Sequence, residues 1–237
     1  THKKIKLIEC GWFANDYANN AFSVAAKLAC PSVEVITLDG RTAKNRETAW
    51  ASADIFCSLS DNIQETFGIT PIEAMATGIP VVVSDWDGYK DTIRDGVDGF
   101  RVPTMMPQAG LGGDLAYRHA QEIDNYDFYC GNTCSFISVD VQQTALAFSK
   151  LIDDPQLRKQ MGSAGRERAI DIYDWNKIIP QYEQLWGQLA EIRKQHQKEN
   201  PTTPSINPAR MDPFKSFENY STSTLTHTTQ LQRFDTD

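Results

Sequence analysis

The stretch DIFCSLSDNIQETFGITPIEAMATGIPVVVSDWDGYKDTIRDGVDGFRV, residues 54–102, decides the fold class of this chain. It contains short apolar runs at 55–57, 79–83 and 100–102, separated by polar loops and by helical patterns. Short strands that alternate with helices at this spacing are typical of βαβ units, in which the strands are parallel. The stretch therefore predicts an α/β domain with a Rossmann-like parallel sheet flanked by helices.

The central helix of this stretch is predicted to begin at Thr70. Thr70 would cap the helix, Pro71 would take the first helical position, and Glu73 would complete a T-x-x-E capping box. Gly78 would end the helix, because glycine readily adopts the left-handed conformation that follows many helices. The continuous apolar run at 79–83 then predicts a buried strand.

Two carboxylates frame the start of that helix. Glu65 lies eight positions before Glu73, with Phe67, Gly68 and Ile69 between them. A glycine lets the backbone approach a ligand closely, and the free N–H groups of a helix start suit a phosphate group. A carboxylate in the first turn can also accept hydrogen bonds from ribose hydroxyls. The alternative is purely structural: Glu73 completes the cap and Glu65 is a solvated loop acid.

Three motifs in this region resemble one enzyme family: the E-x7-E pattern from Glu65 to Glu73, EAMATGIPVVVSD at 73–85, and GVDGF at 96–100. They are similar to the retaining nucleotide-sugar glycosyltransferases of family 4. Those enzymes have the GT-B fold, in which two Rossmann-like domains hold the donor in a cleft, and the motifs lie in the C-terminal, donor-binding domain. The resemblance is dense over 54–102, moderate over 144–190 and thin elsewhere. It implies that this chain is the C-terminal half of a GT-B fold and transfers a glycosyl group from a nucleotide diphosphate sugar to an acceptor with retention.

The resemblance also implies roles for single residues. Glu65 would be the catalytic residue, because it would hydrogen-bond the donor sugar and favour an oxocarbenium-like transition state electrostatically. Glu73 would hold the ribose of a UDP-, GDP- or ADP-linked donor, with Phe67 nearby. Gly40 and Arg41 would flank the base, although an ordinary strand-to-helix turn explains them equally well. Further donor contacts would come from the backbone N–H groups of Gly68, Ile69 and Thr70. No metal and no cofactor is expected.

Two features depart from that family. Thr1 corresponds to a position near the second strand of the donor domain, so the basic Arg/Lys pair that steadies the diphosphate has no counterpart. Residues 103–140 form a long insertion, which is either a small packed helical insert or a loop with a carbohydrate-facing aromatic side chain. An N-terminal acceptor domain is therefore expected as a partner. The alternatives are a non-catalytic nucleotide-sugar-binding module, a fragment inactive without that domain, or a GT-B epimerase or phosphorylase, whose further acid/base residues or cofactor lysine are not visible.

Composition excludes several other classes. The net charge of −8 argues against a nucleic-acid partner, and no apolar run approaches the length of a transmembrane segment. The five scattered cysteines are typical of reduced thiols in a cytoplasmic protein. Cys130 and Cys134 have a C-x3-C spacing, but a zinc site would need further ligands that the sequence does not show.

The remaining patterns predict the order of the other elements. Trp86 and Tyr89 follow the strand at 79–83, where one aromatic side chain lines the cleft or the Trp packs in a turn. Asp98 and Gly99 predict a hairpin-like turn. The domain is expected to span 1–198, with a tail or linker at 199–237. The other predicted segments are strands at 6–10 and 33–38, a loop at 12–20, and helices at 21–29, 46–52, 144–152 and 177–197.

Overall fold

The computed structural model describes residues 3–201, 212–216 and 226–230, and helices and strands alternate along them. The strands are β1 (Lys6–Gly11), β2 (Glu34–Asp39), β3 (Phe56–Ser58), β4 (Val81–Ser84), β5 (Gly99–Val102), β6 (Thr104–Met105) and β7 (Ser138–Val139). The helices are α1 (Asp16–Ala29), α2 (Ala43–Ser52), α3 (Ile69–Thr77), α4 (Tyr89–Thr92), α5 (Gly113–Ala120), α6 (Tyr126–Cys134), α7 (Val141–Asp153), α8 (Pro155–Arg168), α9 (Trp175–Glu199) and α10 (Pro213–Ser216). A π-helical turn, Ala169–Tyr173, follows α8.

The main strands are parallel, as the sequence predicts. They form a pair, β1–β2, and a three-stranded sheet in the order β3–β4–β5. In the second sheet Ser58 lies opposite Val83, and Ser84 lies opposite Val102. Because the strands are parallel, their carboxyl ends meet at one edge of the sheet. The three loops that leave this edge can therefore build a common site.

The core is organised around β4, whose four residues are all buried. Successive side chains of a strand point to opposite faces of the sheet. On one face Val81 and Val83 pack with Met75 of α3, and on the other Val82 packs with Leu151 of α7. Burial on both faces explains why the run at 79–83 is continuously apolar rather than alternating.

The end of α3 agrees with the sequence, since Gly78 ends the helix in a left-handed conformation and Ile79 N donates to Ala74 O across this turn. Helix α7 begins at Val141, three residues before the predicted 144, because Asp140 caps it by accepting a hydrogen bond from Gln143 N. Asp154 caps α8 by accepting from Gln156 N and Leu157 N. Short polar residues of this kind are typical of helix starts.

Helix α1 is longer than predicted. The segment predicted as a loop at 12–20 is partly helical, because Asn15 caps a helix that begins at Asp16 and accepts a hydrogen bond from Ala18 N. The prediction that the helix begins at 21 was wrong by five residues, since the first turns carry asparagines instead of a clear apolar periodicity.

The predicted hairpin-like turn at Asp98–Gly99 is only partly right, since Asp98 ends a turn at 96–98 but Gly99 is not part of it. Gly99 begins β5, which runs parallel to β4 and is not its hairpin partner. A Cβ at position 99 would lie 1.9 Å from Val81 O, so glycine is required for strand contact and not for a turn. The Asp98 side chain is fully buried and accepts hydrogen bonds from the backbone N and guanidinium of Arg94.

The segment 103–140 contains the two helices α5 and α6, and β6 and β7 pair as a short antiparallel ladder at its ends. Its interior is held by an Arg118–Asp124 ion pair at 2.8 Å and by the His119 ring, which stacks on Tyr129 at 4.8 Å. A packed helical insert is therefore the interpretation that the structure supports. Several of its apolar side chains are exposed, namely Tyr117, Ile123, Tyr126, Phe128 and Phe136.

The chain divides into two compact units, 1–180 and 181–237. In the second unit the rings of Tyr182 and Trp186 lie 6.0 Å apart, and Phe214 is exposed. Much of the predicted tail at 199–237 lies outside the described residues, so the predicted domain boundary stays a prediction. Within the described residues, no helix has the length and apolar character that crossing a membrane requires.

Candidate functional site

The loops that follow β3 and β4 meet at the carboxyl edge of the three-stranded sheet. The Trp86 indole donates a hydrogen bond to Asn62 O at 2.9 Å, and the Ser84 hydroxyl donates one to Ser60 O. Gly88 packs against the same loop so closely that a Cβ there would lie 2.2 Å from Thr66 O. Loop 59–68 is therefore held in place by the turn after β4. Ligands of open α/β sheets bind at such an edge.

Glu65 lies in that loop and is hydrogen-bonded to a buried tyrosine. The Tyr89 hydroxyl donates to Glu65 Oε2 at 3.2 Å and is 2.8 Å from Ser58 Oγ at the end of β3. Burial, with a smaller effect of the Glu65 charge, raises the pKa of Tyr89 above its usual value of 10.0. The phenol is therefore protonated at neutral pH and acts as the donor to the carboxylate. Within the described residues, the Glu65 side chain makes no other hydrogen bond or ion pair, and the Glu65 backbone N–H donates to Asn62 O at 3.0 Å.

The start of α3 differs from the prediction. The helix begins at Ile69 with Gly68 as its N-cap, and no side chain makes a capping hydrogen bond. Thr70 lies inside the first turn, so the predicted Thr70–Glu73 capping box is wrong. Pro71 is accommodated because the N–H groups of the first turn have no partner inside a helix.

Gly68 adopts a left-handed conformation with φ of 74°, and a Cβ at this position would lie 2.1 Å from Cε1 of Tyr89. The long-range contact with Tyr89 and the backbone conformation both require glycine here. The position of the helix start is thus determined by a residue that follows 21 positions later in the chain. Local capping signals could not reveal it.

Around this helix start the predicted donor residues form an exposed surface. The Phe67, Ile69, Thr70 and Glu73 side chains are all exposed, and Phe67 contacts the Tyr173 ring edge-on with 6.3 Å between centroids. The N–H groups of Gly68, Ile69 and Thr70 have no acceptor within the described residues. The structure therefore brings Glu65, Phe67, Gly68, Ile69, Thr70 and Glu73 together in one loop and helix start.

Trp86 and Tyr89, the two aromatic residues that follow β4, have different environments. Tyr89 is fully buried beneath Gly68, so it does not line an open cleft, and half-buried Trp86 forms the packed turn. Sequence reasoning therefore missed Ser58 and Tyr89 as partners of Glu65. The only local signal was the position of the tyrosine immediately after Gly88, at the end of a strand that was predicted correctly.

Gly40 and Arg41 belong to the other parallel sheet, at the carboxyl end of β2. Gly40 is buried against Gly11, and its N–H donates to Gly11 O at 2.9 Å. Arg41 is exposed and makes a forked ion pair with Asp39, which lowers the pKa of that carboxyl to about 2. No hydrogen bond or ion pair of the described residues connects Gly40 or Arg41 with Glu65. Their donor role stays a prediction.

No group of three or more His, Cys, Asp or Glu side chains in the described part of the chain is arranged to hold a metal ion. All five cysteines are described and are free thiols. Cys134 of the C-x3-C pair is half-buried, and burial together with the nearby Asp61 carboxylate raises its pKa. These thiols therefore offer no additional binding site.

Two surface cavities lie away from Glu65 and Glu73. One, of about 380 Å³, lies between α7 and α8 and is lined by residues such as Leu146 and Leu157. The other, of about 350 Å³, lies between α1 and β2 beside Phe22 and Val35. Neither cavity is lined by a predicted donor residue, and a concave shape alone does not indicate a binding or catalytic site.

Comparison with known proteins agrees with the resemblance. Residues 2–109, which include every predicted site residue, match the family described as glycosyl transferases group 1. The phosphatidyl-myo-inositol mannosyltransferase of Mycobacterium tuberculosis is 29% identical over 154 residues, which are 62% of this chain and 32% of that protein. The match thus spans about a third of the length of this curated relative.

Solved structures show the fold. The sucrose-phosphate synthase of Thermosynechococcus elongatus superposes with a TM-score of 0.52 at 20% identity, over 80% of this chain and 39% of that one. Anabaena Alr3699/HepE in complex with UDP superposes with a TM-score of 0.51 at 19% identity, over 79% of this chain and 41% of that one. These likenesses confirm the predicted α/β fold class as part of a GT-B architecture.

Proposed function

We propose that this chain, whose residues 2–109 match the group 1 glycosyl transferases, binds a nucleotide diphosphate sugar and forms the donor half of a retaining glycosyltransferase. The acceptor would be bound by an N-terminal domain that pairs with this half. UDP-, GDP- and ADP-linked sugars are the donor classes to be distinguished. The sequence predicts that the protein needs no metal and no cofactor and that it is cytoplasmic, and these statements remain predictions.

The observation that carries this proposal is the grouping at the start of α3. Glu65 and Glu73 lie on either side of Gly68, and the unpaired N–H groups of the helix start lie between them. Such N–H groups, together with the helix dipole, favour a phosphate, and Glu73 is free of any capping role and exposed to accept from ribose hydroxyls. HepE, which has a similar fold, was crystallised with UDP and supports this choice of ligand.

The chemistry would rest on positioned charges. As the bond between the sugar and the diphosphate breaks, negative charge grows on the leaving phosphate and positive charge on the sugar ring. The N–H groups of Gly68, Ile69 and Thr70 would stabilise the phosphate, and the Glu65 carboxylate would stabilise the sugar. Glu65 acts here as a fixed charge and is not required to be a nucleophile.

A second candidate function is nucleotide-sugar binding without catalysis in this chain. The matched region is 32% of the mannosyltransferase relative, so the match covers only part of that enzyme. In that case donor binding would persist and transfer would require another polypeptide segment.

The test is calorimetric titration of the full chain with UDP, GDP and ADP and with UDP-glucose, GDP-mannose and ADP-glucose. We expect base-selective binding that Glu73→Ala abolishes, while the circular dichroism spectrum is unchanged. Glu183→Ala, which removes an exposed glutamate from α9, is the matched control and should bind as the wild type does. If Glu73→Ala bound nucleotides as tightly as the wild type does, Glu73 would not hold the ribose. If the wild type bound none of the nucleotides, the proposal would be contradicted.

A further inference from the structure

Tyr89 connects three parts of the candidate site although it is fully buried. Its hydroxyl lies 2.8 Å from Ser58 Oγ and 3.2 Å from Glu65 Oε2, and its ring fills the space under Gly68. The end of β3, the catalytic carboxylate and the helix start thus share one side chain. The hydroxyl of Tyr89 contacts Ser58 and Glu65, whereas its ring contacts Gly68.

The hydrogen bonds have a definite direction. A carboxylate can only accept, so the Tyr89 O–H donates to Glu65 and the Ser58 hydroxyl is left to donate to the Tyr89 oxygen. Glu65 Oε2 is occupied by this bond, whereas Oε1 has no partner among the described residues. One carboxylate oxygen is therefore anchored from below, and the other is available to a ligand.

We propose that Tyr89 is a positioning residue that orients the Glu65 carboxylate toward the donor sugar. The proposal rests on the proposed function, since it assumes that Glu65 contacts the sugar part of a nucleotide sugar. It goes further by assigning the Tyr89 hydroxyl to recognition of the sugar and not of the nucleotide. The diphosphate and ribose contacts at Gly68 and Glu73 depend on the ring, which a phenylalanine would preserve.

Core packing alone does not explain a tyrosine at this position. A phenylalanine would fill the same space among Met75, Val83 and Ile93 without burying a hydroxyl. A buried hydroxyl is tolerated only when it is hydrogen-bonded. Both of its partners lie at the carboxyl edge of the sheet, where the donor is proposed to bind.

The experiment compares Tyr89→Phe with the wild-type chain in titrations with UDP and UDP-glucose, with GDP/GDP-mannose and ADP/ADP-glucose pairs run in parallel. We expect Tyr89→Phe to weaken binding of the sugar conjugate by about tenfold or more, as for one hydrogen bond to a charged group, and to leave the free diphosphate within about twofold. Tyr173→Phe is the control: it removes a hydroxyl near the same core, where the partner is Arg168 and not Glu65. This control should leave unchanged the ratio of the affinity for the sugar conjugate to the affinity for the free diphosphate.

A double-mutant cycle separates positioning from packing. In a Glu65→Ala background the Tyr89→Phe change should no longer alter the ratio of the two affinities, because the side chain that accepts the Tyr89 hydrogen bond is gone. Ser58→Ala, which keeps the aromatic ring, should shift the ratio in the same direction by a smaller factor of about two. The Ser58 variant also tests the idea if Tyr89→Phe does not fold.

The outcomes are distinct. Equal weakening of diphosphate and sugar conjugate by Tyr89→Phe, or an undiminished effect in the Glu65→Ala background, would overturn the positioning role while leaving the donor site intact. Failure of the wild-type chain to bind any of the nucleotides would overturn the proposed function, and the positioning role with it.

Discussion

The close contact between Gly68 and Tyr89 makes the start of α3 unusually sensitive to one methyl group. Gly68→Ala places a Cβ 2.1 Å from the Tyr89 ring at a residue with φ of 74°. A left-handed conformation costs an alanine about 1 kcal/mol, and overpacking a filled core costs about 2 kcal/mol more. We therefore expect the free energy of unfolding to fall by about 3 kcal/mol.

Two other glycines separate these contributions. Gly78 has φ of 82° with no atom within 4 Å of an added Cβ, so Gly78→Ala should lose only the conformational part, about 1 kcal/mol. Gly131 lies in α6 with open space and no positive φ, so Gly131→Ala should stabilise by about 0.5–1 kcal/mol. Urea denaturation followed by circular dichroism measures all three variants.

The same glycine variants test whether the start of α3 binds the nucleotide. At temperatures where Gly68→Ala remains folded, it should bind UDP and UDP-glucose more weakly, because the N–H groups of the helix start are displaced. Gly78→Ala, at the other end of the helix, should bind as the wild type does. If Gly68→Ala were no less stable than Gly78→Ala, the contact with Tyr89 would not determine the helix start, and the reasoning would be refuted.

Three further predictions concern charged side chains. Asp98→Ala should lower the free energy of unfolding by about 1–3 kcal/mol in urea denaturation, because it removes the buried acceptor of hydrogen bonds from the Arg94 backbone N and guanidinium; an unchanged free energy of unfolding would contradict this. Arg41→Ala should raise the pKa of Asp39 from about 2 toward its unperturbed value of 3.8, measured by NMR titration of the carboxyl carbon, and an unchanged pKa would show that the ion pair does not form in solution. Glu73→Ala should change the free energy of unfolding by less than about 0.5 kcal/mol, because the side chain is exposed and caps nothing, whereas a loss near 1 kcal/mol would restore the capping box.

The parallel sheet was predictable because its signals are local. The run at 79–83 is continuously apolar, and a strand buried on both faces has that pattern. Gly78 likewise marked the end of α3 by its own conformational preference. Glu65 and Glu73 could be placed at one helix start because only a short loop separates them.

The details that failed depend on contacts between distant segments. The N-cap of α3 is Gly68 and not the predicted Thr70, because Gly68 must pass over Tyr89. Gly99 was taken for a turn residue because its contact with Val81 of the neighbouring strand has no local signature. Sequence spacing cannot report which side chain will lie beneath a loop, and for the same reason it could not identify Tyr89.

The ladder between β6 and β7 has a consequence for how this protein can vary. Asp140 N donates to Pro103 O at 2.9 Å, so the chain leaves the domain and returns to it at nearly the same point. A segment whose ends meet in this way can be lengthened, shortened or exchanged while strand β5 and helix α7 keep their places. Changes in the length or sequence of residues 104–139 can thus alter the surface at the edge where the donor is proposed to bind without rebuilding the sheet.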